Sequence, residues 1–288
     1  MRPQIKKVGS LHSQSFDVVE VNGPHFYSHW HYHPQCEIMY VQESTGTRIV
    51  GDNIQRFKPG EIVFMGPEVP HIWKNDNPYD RTSEKRNARA IVIYFSKDFL
   101  GKDLDDIPEM FEVKDLIRRA RQGILLHGQT RRRMVYLLKQ SLNTEGLDRF
   151  ILLFNMLKWM AQSKEYDVLS SRVFSNTFTR REFDRINIIY QYILEHFKER
   201  LRLEDVSRIS SMSPNAFCRY FKSRTGKTFV NFVNEVRIGY AGRLLIESKM
   251  TVSQICYESG FENFSNFIRQ FKKIKGITPK NYRARSVG

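Results

Sequence analysis

The chain has 288 residues, of which 41% are hydrophobic and 13% aromatic. This composition supplies enough apolar material for folded cores and excludes a mostly disordered chain. The length is about twice that of the commonest domain, so we expect two domains. Lys and Arg number 46 against 31 Asp and Glu, a net charge of +15, which favours a polyanionic partner such as nucleic acid.

The sequence contains no segment typical of export or membrane insertion. The longest apolar run, residues 150–154, is far shorter than a membrane span, and residues 1–7 lead into no apolar run, so we expect no signal peptide. Cys36, Cys218 and Cys256 are too few and too scattered for a disulfide framework or a paired-cysteine metal site. We therefore expect a cytoplasmic protein without a membrane partner.

The pattern of residues 1–165 predicts strands followed by helices. Short segments rich in β-branched and aromatic residues, separated by Gly and Pro, are typical of strands. These segments are Phe16–Val21, His25–His31, Glu37–Gln42, Thr47–Val50, Ile62–Met65 and Ala88–Phe95. Their spacing indicates a small jelly-roll barrel over about residues 10–100. Residues 108–163 show helical periodicity, and their apolar face would cover either a dimer interface or the barrel wall.

The composition changes after residue 165. Residues 166–181 are polar and rich in Ser and Thr, which predicts a linker. Residues 182–288 predict an all-helical domain. Residues 181–288 hold 20 Lys and Arg but only 10 Asp and Glu, so the basic excess is concentrated there. The predicted fold class is therefore α+β, with an N-terminal small β-barrel plus helices and a C-terminal all-α domain.

The C-terminal domain contains one pattern twice, in residues 203–226 and 251–276. Shifted by 50 residues, the copies match at Phe217/Phe267, Arg219/Arg269, Phe221/Phe271, Lys222/Lys272, Gly226/Gly276 and Thr228/Thr278. Each copy predicts two short helices joined by a tight turn, at Ser211-Met212 and at Gly260-Phe261. Such helix-turn-helix units place their second helix in a DNA major groove. Residues 228–247 predict one long helix between the copies.

Side chains opposite the phenylalanines predict how each second helix contacts double-stranded DNA. Arg can donate two hydrogen bonds to guanine and Asn can pair in the same way with adenine, whereas Lys suits phosphates. The base-contact candidates are Asn215, Cys218, Arg219, Asn263, Ser265, Asn266 and Arg269. The phosphate-contact candidates are Lys222, Lys227, Lys272, Lys273 and Lys280. A single row of such polar side chains is usually a solvated helix face. Here the row occurs at matching positions in both copies, which favours DNA binding.

Residues 185–285 resemble the DNA-binding domain of the AraC/XylS family of bacterial transcription regulators. The resemblance is carried by Gly260-Phe261, Phe264-Ser265-Asn266-Phe267, Arg269, Phe271-Lys272, Gly276, Thr278-Pro279 and Tyr282-Arg283. It implies two subdomains that read adjacent major-groove segments, and it adds Phe264 to the base-contact candidates. The sequence departs from the family at Ser211, where Gly is usual, and at Ser207 and Cys256, where Ala is usual.

The N-terminal unit contains a constellation of histidines. His29, His31 and His33 alternate along an extended segment, so we expect their side chains on one face. Glu37 follows them, and His71 comes after a stretch rich in Gly and Pro. This spacing is similar to the two motifs of the cupin superfamily, and the resemblance implies convergence on a metal inside a small barrel.

Three interpretations of this constellation stay open. We favour an organic effector pocket without a metal or other cofactor, because neighbouring aromatic residues suit a sugar or another small polar molecule. The second is a bound Mn, Fe, Zn or Ni ion, with the ligands His31, His33, Glu37 and His71. The third is exposed histidines with no ligand. The effector-binding candidates are His29, Trp30, His31, His33, Glu37, His71 and Trp73.

Two classes of function agree with these features. The first is a ligand-responsive, sequence-specific transcription regulator, more often an activator in the resembling family, with DNA, a small effector, a second copy of the chain and RNA polymerase as partners. The alternative is a metal-dependent cupin enzyme, an oxygenase or isomerase, with a basic helical appendage. We favour the regulator and expect no enzymatic activity, because regulation accounts for the charge asymmetry, the duplication and the linker together.

Overall fold

The computed structural model describes residues 16–26, 30–75, 88–99, 107–171 and 180–287. The chain divides into two compact units. The first comprises residues 1–53 and 57–177, and the second comprises residues 54–56 and 178–288. The predicted mixture of an N-terminal α+β part and a C-terminal helical part is confirmed.

Two sheets form the N-terminal part. The strands are β1 (Phe16–Gly23), β2 (Cys36–Glu43), β3 (Gly46–Val50), β4 (Asn53–Phe57), β5 (Ile62–Met65), β6 (His71–Asn75), β7 (Ala88–Phe95), β8 (Ile124–Leu126) and β9 (Tyr166–Val168). The larger sheet is antiparallel and has the order β1-β7-β2-β5-β8-β9. The smaller sheet has the order β4-β3-β6.

Strand β7 carries apolar side chains on both faces. Each face is covered by other parts of the unit, as is typical of a central strand. Ile91, Ile93 and Phe95 lie in a cluster shared with helices. Val92 and Tyr94 point the other way, into a cluster that also contains side chains of the smaller sheet. The two sheets therefore pack face to face, with the second cluster between them.

Helices cover the outer face of the larger sheet. They are α1 (Phe111–Ala120), preceded by a 3₁₀ turn at Pro108–Met110, α2 (Gly128–Ser141) and α3 (Gly146–Gln162). Leu116, Met134 and Leu153, one from each helix, are fully buried in the cluster shared with the sheet. The apolar face of these helices therefore covers the barrel wall, which is one of the two roles predicted for it.

Several strands differ from their sequence predictions. The strands predicted from Phe16, Glu37, Thr47, Ile62 and Ala88 are present, whereas β4, β6, β8 and β9 are not predicted by the sequence. The segment His25–His31 lies partly outside the described residues, and in its described part only His31 pairs, as an isolated bridge to His71. Strand β9 occupies the first three residues of the predicted linker 166–181, because it pairs with β8.

The second unit is built from seven helices in its described part. They are α4 (Arg180–His196), α5 (Leu203–Ile209), α6 (Pro214–Thr225), α7 (Phe229–Glu247), α8 (Val252–Glu258), α9 (Phe264–Lys275) and α10 (Pro279–Val287). The Ser213 side chain caps α6, and Thr251 forms a capping box with Gln254 at the start of α8. The long helix predicted between the two copies is α7. No helix in the part of the chain that the structure describes has the length and apolarity needed to cross a membrane.

Candidate functional site

The helices α6 and α9, here called the recognition helices, are each anchored by two phenylalanines one turn apart. Phe217 and Phe221 of α6 are fully buried and contact Phe229 of α7, with ring centroids 5.5 and 5.9 Å away. Phe267 and Phe271 of α9 are equally buried in a cluster that also contains side chains of α7. Because side chains four residues apart share one helix face, the opposite face of each recognition helix is left to solvent.

The base-contact candidates lie on that outer face. Those that are exposed are Asn215, Cys218, Arg219, Asn263, Phe264, Ser265 and Arg269, whereas Asn266 is partly buried. Among the phosphate-contact candidates, the exposed ones are Lys222, Lys272, Lys273 and Lys280. Lys227 differs, since it is partly buried and its Nζ lies 2.7 Å from a carboxylate oxygen of Glu235. An ion-paired lysine is less available to a phosphate, so Lys227 is the weakest of these candidates.

Two asparagines of the second copy have local partners that the sequence does not predict. The Asn263 side-chain oxygen accepts a hydrogen bond from the Asn266 backbone N–H at 2.8 Å, so Asn263 caps α9. The Asn266 side-chain oxygen accepts from Arg269 Nη2 at 2.8 Å. Asn266 therefore orients Arg269, and the guanidinium retains other N–H groups for a base or a phosphate.

Helix α4 also contacts α6 through polar side chains. The Tyr220 hydroxyl donates to the Glu182 backbone carbonyl at 2.8 Å, and Arg224 forms an ion pair with the Glu182 carboxylate. Burial raises the pKa of Tyr220 to about 12, so its hydroxyl stays protonated as a donor. The sequence of α4 predicts only an apolar stripe, because polar contacts between distant segments leave no periodic pattern.

The departures from the family pattern fit the local structure. Ser211, in the turn of the first copy, has a φ of 55°, and Gly260 at the equivalent turn has a φ of 82°. Ser207 is buried, and its hydroxyl donates to the Glu204 carbonyl at 2.9 Å. Cys256 is fully buried beside Phe261. Only Ser211 adopts a conformation that its residue type disfavours.

The first unit contains a cluster of four buried polar side chains, from His31, His33, Glu37 and His71. One potential ligand atom from each lies within 4.8 Å of all the others. Backbone hydrogen bonds of 3.1 and 2.9 Å join His31 to His71, while Glu37 lies on β2 and His71 begins β6. The fold thus brings together the four residues predicted from the cupin-like spacing. His29 lies outside the described residues.

Backbone carbonyls fix the proton positions on two of these imidazoles. His33 Nδ1 lies 3.0 Å from the Gln35 carbonyl, and His71 Nδ1 lies 2.8 Å from the Val69 carbonyl. Because a carbonyl oxygen only accepts, each Nδ1 carries the proton. The Nε2 atoms of His33 and His71 then lie 2.8 and 3.3 Å from the same Glu37 oxygen. When protonated, each Nε2–H donates to this carboxylate, and when the imidazole is neutral its Nε2 lone pair is available to a metal.

The charges in the cluster follow from burial and from its internal contacts. Burial lowers the pKa of His33, against the opposing effect of Glu37. Burial alone would raise the pKa of Glu37, but the charge of His71 and the hydrogen bonds of both imidazoles hold it well below its ordinary value. An ionised carboxylate thus lies beside the Nε2 atoms of His33 and His71. Three imidazoles and one carboxylate suit a divalent transition metal, and the Nδ1–H groups of His33 and His71 are already bonded to carbonyls.

A small cavity of about 80 Å³ opens beside the cluster. Its lining residues are Val21, Phe26, His31, Glu37, Met39, His71, Trp73, Val92 and Tyr94. Trp30 and His33, both effector-binding candidates, are buried but do not line it. Met39, Val92 and Tyr94 are not among the sequence-based candidates, although the period of two along β2 and β7 places them on the same face as Glu37.

Both parts of the chain match models of known domain families. A family model described as a helix-turn-helix domain matches residues 206–285, and a cupin domain model matches residues 18–94. The chain thus combines a segment similar to a helix-turn-helix domain with a segment similar to a cupin domain. The first match starts within α5 and includes both recognition helices, and the second includes all four residues of the buried cluster.

The relatives are similar to this chain over about a third of its length. It is 39% identical over 98 residues to the uncharacterized HTH-type transcriptional regulator YtdP of Bacillus subtilis, which is 34% of this chain and 12% of that protein. For YobQ of the same organism, also named an uncharacterized HTH-type transcriptional regulator, the identity is 35% over 92 residues, with coverages of 32% and 38%. The chain thus spans less than two fifths of either relative.

A solved structure gives a similar result. The C-terminal domain of the two-component response regulator yesN from Fusobacterium nucleatum has 30% sequence identity with this chain. The likeness covers 33% of this chain and 93% of that chain, with a TM-score of 0.32.

Proposed function

We propose that this protein is a sequence-specific DNA-binding transcription regulator whose cupin domain senses a small ligand. The observation that carries the proposal is the pair of recognition helices, each with two buried phenylalanines on one face and an exposed Arg at the matching position of the other. Arg219 and Arg269 are the residues best suited to guanine, since Arg makes the commonest specific contact in the major groove.

The lysines beside these arginines support binding without themselves selecting a sequence. Lys222, Lys272 and Lys273 are exposed on the recognition helices, and Lys280 is exposed on α10. Lysine contacts to phosphates release counterions, so affinity should fall steeply as salt is added, while base contacts set the preferred site. A regulator needs both contributions.

Selection of binding sites from a random duplex library tests the DNA-binding proposal. The full chain should enrich a site with two short conserved segments, and the bound fraction should fall with salt. A protein that enriched no sequence, with the same affinity for every duplex, would be a nonspecific nucleic-acid binder. That outcome would contradict the proposal.

For the buried cluster, the geometry supports the interpretation with a bound divalent metal. His33 and His71 direct their Nε2 atoms at one carboxylate oxygen, an arrangement that a shared cation stabilises. His31, His33, Glu37 and His71 would hold the ion, which when bound supplies a Lewis-acidic position for an oxygen or nitrogen of the effector. Three of these four residues line the cavity, so an effector there would lie against the ion.

The size of the cavity limits the effector. Its volume of about 80 Å³ is below the roughly 150 Å³ of a cavity that holds benzene, which favours an effector smaller than a hexose. Val21, Met39 and Val92 give the wall an apolar character. We therefore assign an effector of only a few heavy atoms, with one polar end.

Titration of the purified full chain with Co²⁺ tests the metal assignment, because cobalt absorbs visible light when ligated. We expect one equivalent of Co²⁺ to bind. His33→Ala should weaken Co²⁺ affinity by at least about 10-fold, because removing even a residue that only supports a ligand typically costs that much. His25→Ala provides the control, since His25 is exposed and lies outside the cluster. Equal Co²⁺ affinity in both variants would contradict the assignment.

The relatives favour a sensor over the alternative cupin enzyme, since both curated relatives described above are named transcriptional regulators. The resembling family also favours activation, for which RNA polymerase is the further partner. A second copy of the chain is the remaining partner of the proposal. Leu147 and Ile151 of α3 and Tyr136 of α2 are 72%, 48% and 63% exposed, and an interface between two copies would remove this apolar surface from water.

A further inference from the structure

The last described residues before α4 are bonded to a turn of the barrel. The Ser170 hydroxyl donates to an Asp52 carboxylate oxygen at 2.8 Å, and the Ser171 backbone N–H donates to the same oxygen at 2.8 Å. Asp52 and Ser170 are both buried. Hydrogen bonds to a buried carboxylate are among the stronger kinds, because the acceptor is charged and water is largely excluded.

The same turn is bonded on its other side to the start of β6. Gly51 and Asp52 connect β3 to β4, and the Gly51 N–H donates to the Pro70 carbonyl at 2.9 Å. Pro70 precedes His71, a residue of the buried cluster. Val50, at the end of β3, is the register partner of His71. One two-residue turn is therefore bonded both to Pro70, just before β6, and to Ser170 and Ser171.

Apolar packing follows the same course. Leu169 is buried in the cluster between the sheets, which includes the cavity-lining residues Trp73 and Tyr94. A side chain at Gly123 would meet Val50 and Leu169, at 2.7 and 3.3 Å from its Cβ. Val50 and Leu169 therefore both lie close to Gly123, and both belong to the cluster between the sheets.

We propose that the Gly51-Asp52 turn couples the occupancy of the buried cluster to residues 169–171. An ion or effector that fixes His71 restricts the start of β6, and the bonds through Pro70, Gly51 and Asp52 extend that restriction to Ser170 and Ser171. The inference rests on the proposed function, since it concerns how the cupin site is read out. Coupling of this kind is reciprocal, so loosening the turn must weaken binding at the cluster.

Glu165 supplies a matched control, because it lies at the start of the segment that ends at Ser171. Its carboxylate accepts from the Thr130 backbone N–H at 2.7 Å and from the Thr130 hydroxyl at 2.9 Å. These bonds hold the start of the segment to α2 rather than to the turn. Removing Glu165 thus loosens the segment without acting through residues 51–52.

Hydrogen–deuterium exchange on the full chain tests the coupling, first without metal. Asp52→Ala should speed exchange in residues 168–171 and also in residues 69–75, whereas Glu165→Ala should speed exchange in residues 127–131 and 165–167 and leave 69–75 unchanged. Asp52→Asn keeps an oxygen acceptor and should restore much of the protection. Unchanged exchange of residues 69–75 in Asp52→Ala overturns the proposal. If Asp52→Ala does not fold, Ser170→Ala, which removes one of the two bonds, replaces it under the same criteria.

The second part of the experiment adds Co²⁺ as the probe. Co²⁺ should slow exchange of residues 168–171 in the wild type and in Glu165→Ala but not in Asp52→Ala, and Asp52→Ala should bind Co²⁺ about fivefold more weakly or worse. An equal effect of Co²⁺ on residues 168–171 in all three proteins overturns the coupling. Failure of the wild type to bind Co²⁺ instead removes the proposed metal site, and the metal-free comparison then decides the coupling alone.

Discussion

Two backbone carbonyls, those of Gln35 and Val69, determine the chemistry of the buried cluster. By accepting from the Nδ1–H groups of His33 and His71, they direct both Nε2 atoms at Glu37. The sequence predicts the four cluster residues from their spacing, but it does not predict this orientation. Carbonyl directions depend on the loops before β2 and β6, which spacing alone does not describe.

The pKa of His33 leads to a prediction for stability. Burial lowers this pKa from 6.5 in the folded chain, so below 6.5 the unfolded chain binds more protons than the folded one. The free energy of unfolding of the metal-free protein should therefore fall as the pH falls from 6.5 towards the lowered pKa. The depressed pKa of Glu37 acts in the same direction below about 4.5.

Urea unfolding of the chelator-treated chain at a series of pH values between 7.5 and 5 measures this effect. His33→Gln should flatten the dependence, because the titrating group is gone. His25→Gln, at an exposed position, should keep the wild-type slope. A slope that His33→Gln leaves intact would show that other groups are responsible.

A second residue-scale prediction concerns the recognition helices. Arg219→Ala and Arg269→Ala should each cost roughly 1–3 kcal/mol on the selected site and much less on random duplex, because a bidentate contact to guanine is lost. Fluorescence anisotropy with both duplexes measures the difference. Arg132→Ala, which removes one exposed charge of α2, is the control. Equal losses on the two duplexes would reassign the arginines to phosphate contacts.

At the scale of elements, the helix-turn-helix units could be predicted well because their determinants are local. In each copy, the caps, the turn residues and the buried phenylalanines all lie within about 25 residues of sequence. Strands β8 and β9 could not be predicted, since each has three residues and exists through pairing with a neighbour distant in sequence. The pairing of β2 with β7, which brings Met39 and Val92 to the same cavity wall, likewise depends on residues distant in sequence.

The two turns make an opposed pair of predictions. Ser211 adopts a positive φ, which costs a non-glycine residue about 1–2 kcal/mol, so Ser211→Gly should raise the free energy of unfolding, by about 0.5–1 kcal/mol after the entropy of glycine is counted. Gly260→Ala should lower it by more than about 1 kcal/mol. The added Cβ would lie 2.6 Å from the Phe197 carbonyl oxygen and 2.8 Å from Lys198 Cα.

Chemical denaturation of both variants, followed by the helical circular dichroism signal, measures these changes. The two variants should change the free energy of unfolding in opposite directions. A general sensitivity of this domain to mutation would instead lower it in both variants. Destabilisation by Ser211→Gly would mean that the serine side chain contributes more than its backbone costs.

At the scale of the whole molecule, the apolar surface of α2 and α3 predicts self-association. The double variant Leu147→Asp/Ile151→Asp should shift the mass measured by light scattering from about twice 34.1 kDa to 34.1 kDa, because charged side chains oppose burial of this face. Val230→Asp, at a position of α7 that is 63% exposed, should leave the mass unchanged. A wild-type chain that is monomeric at micromolar concentration would contradict the dimer proposal.

Methylation interference at guanine N7 tests the central claim, that two recognition helices of one chain read two major-groove segments. On the selected site we expect two groups of sensitive guanines separated by about 10 base pairs, one helical turn. Arg219→Ala should abolish sensitivity in one group and Arg269→Ala in the other. A single group, or two groups that respond identically to both variants, would contradict the account.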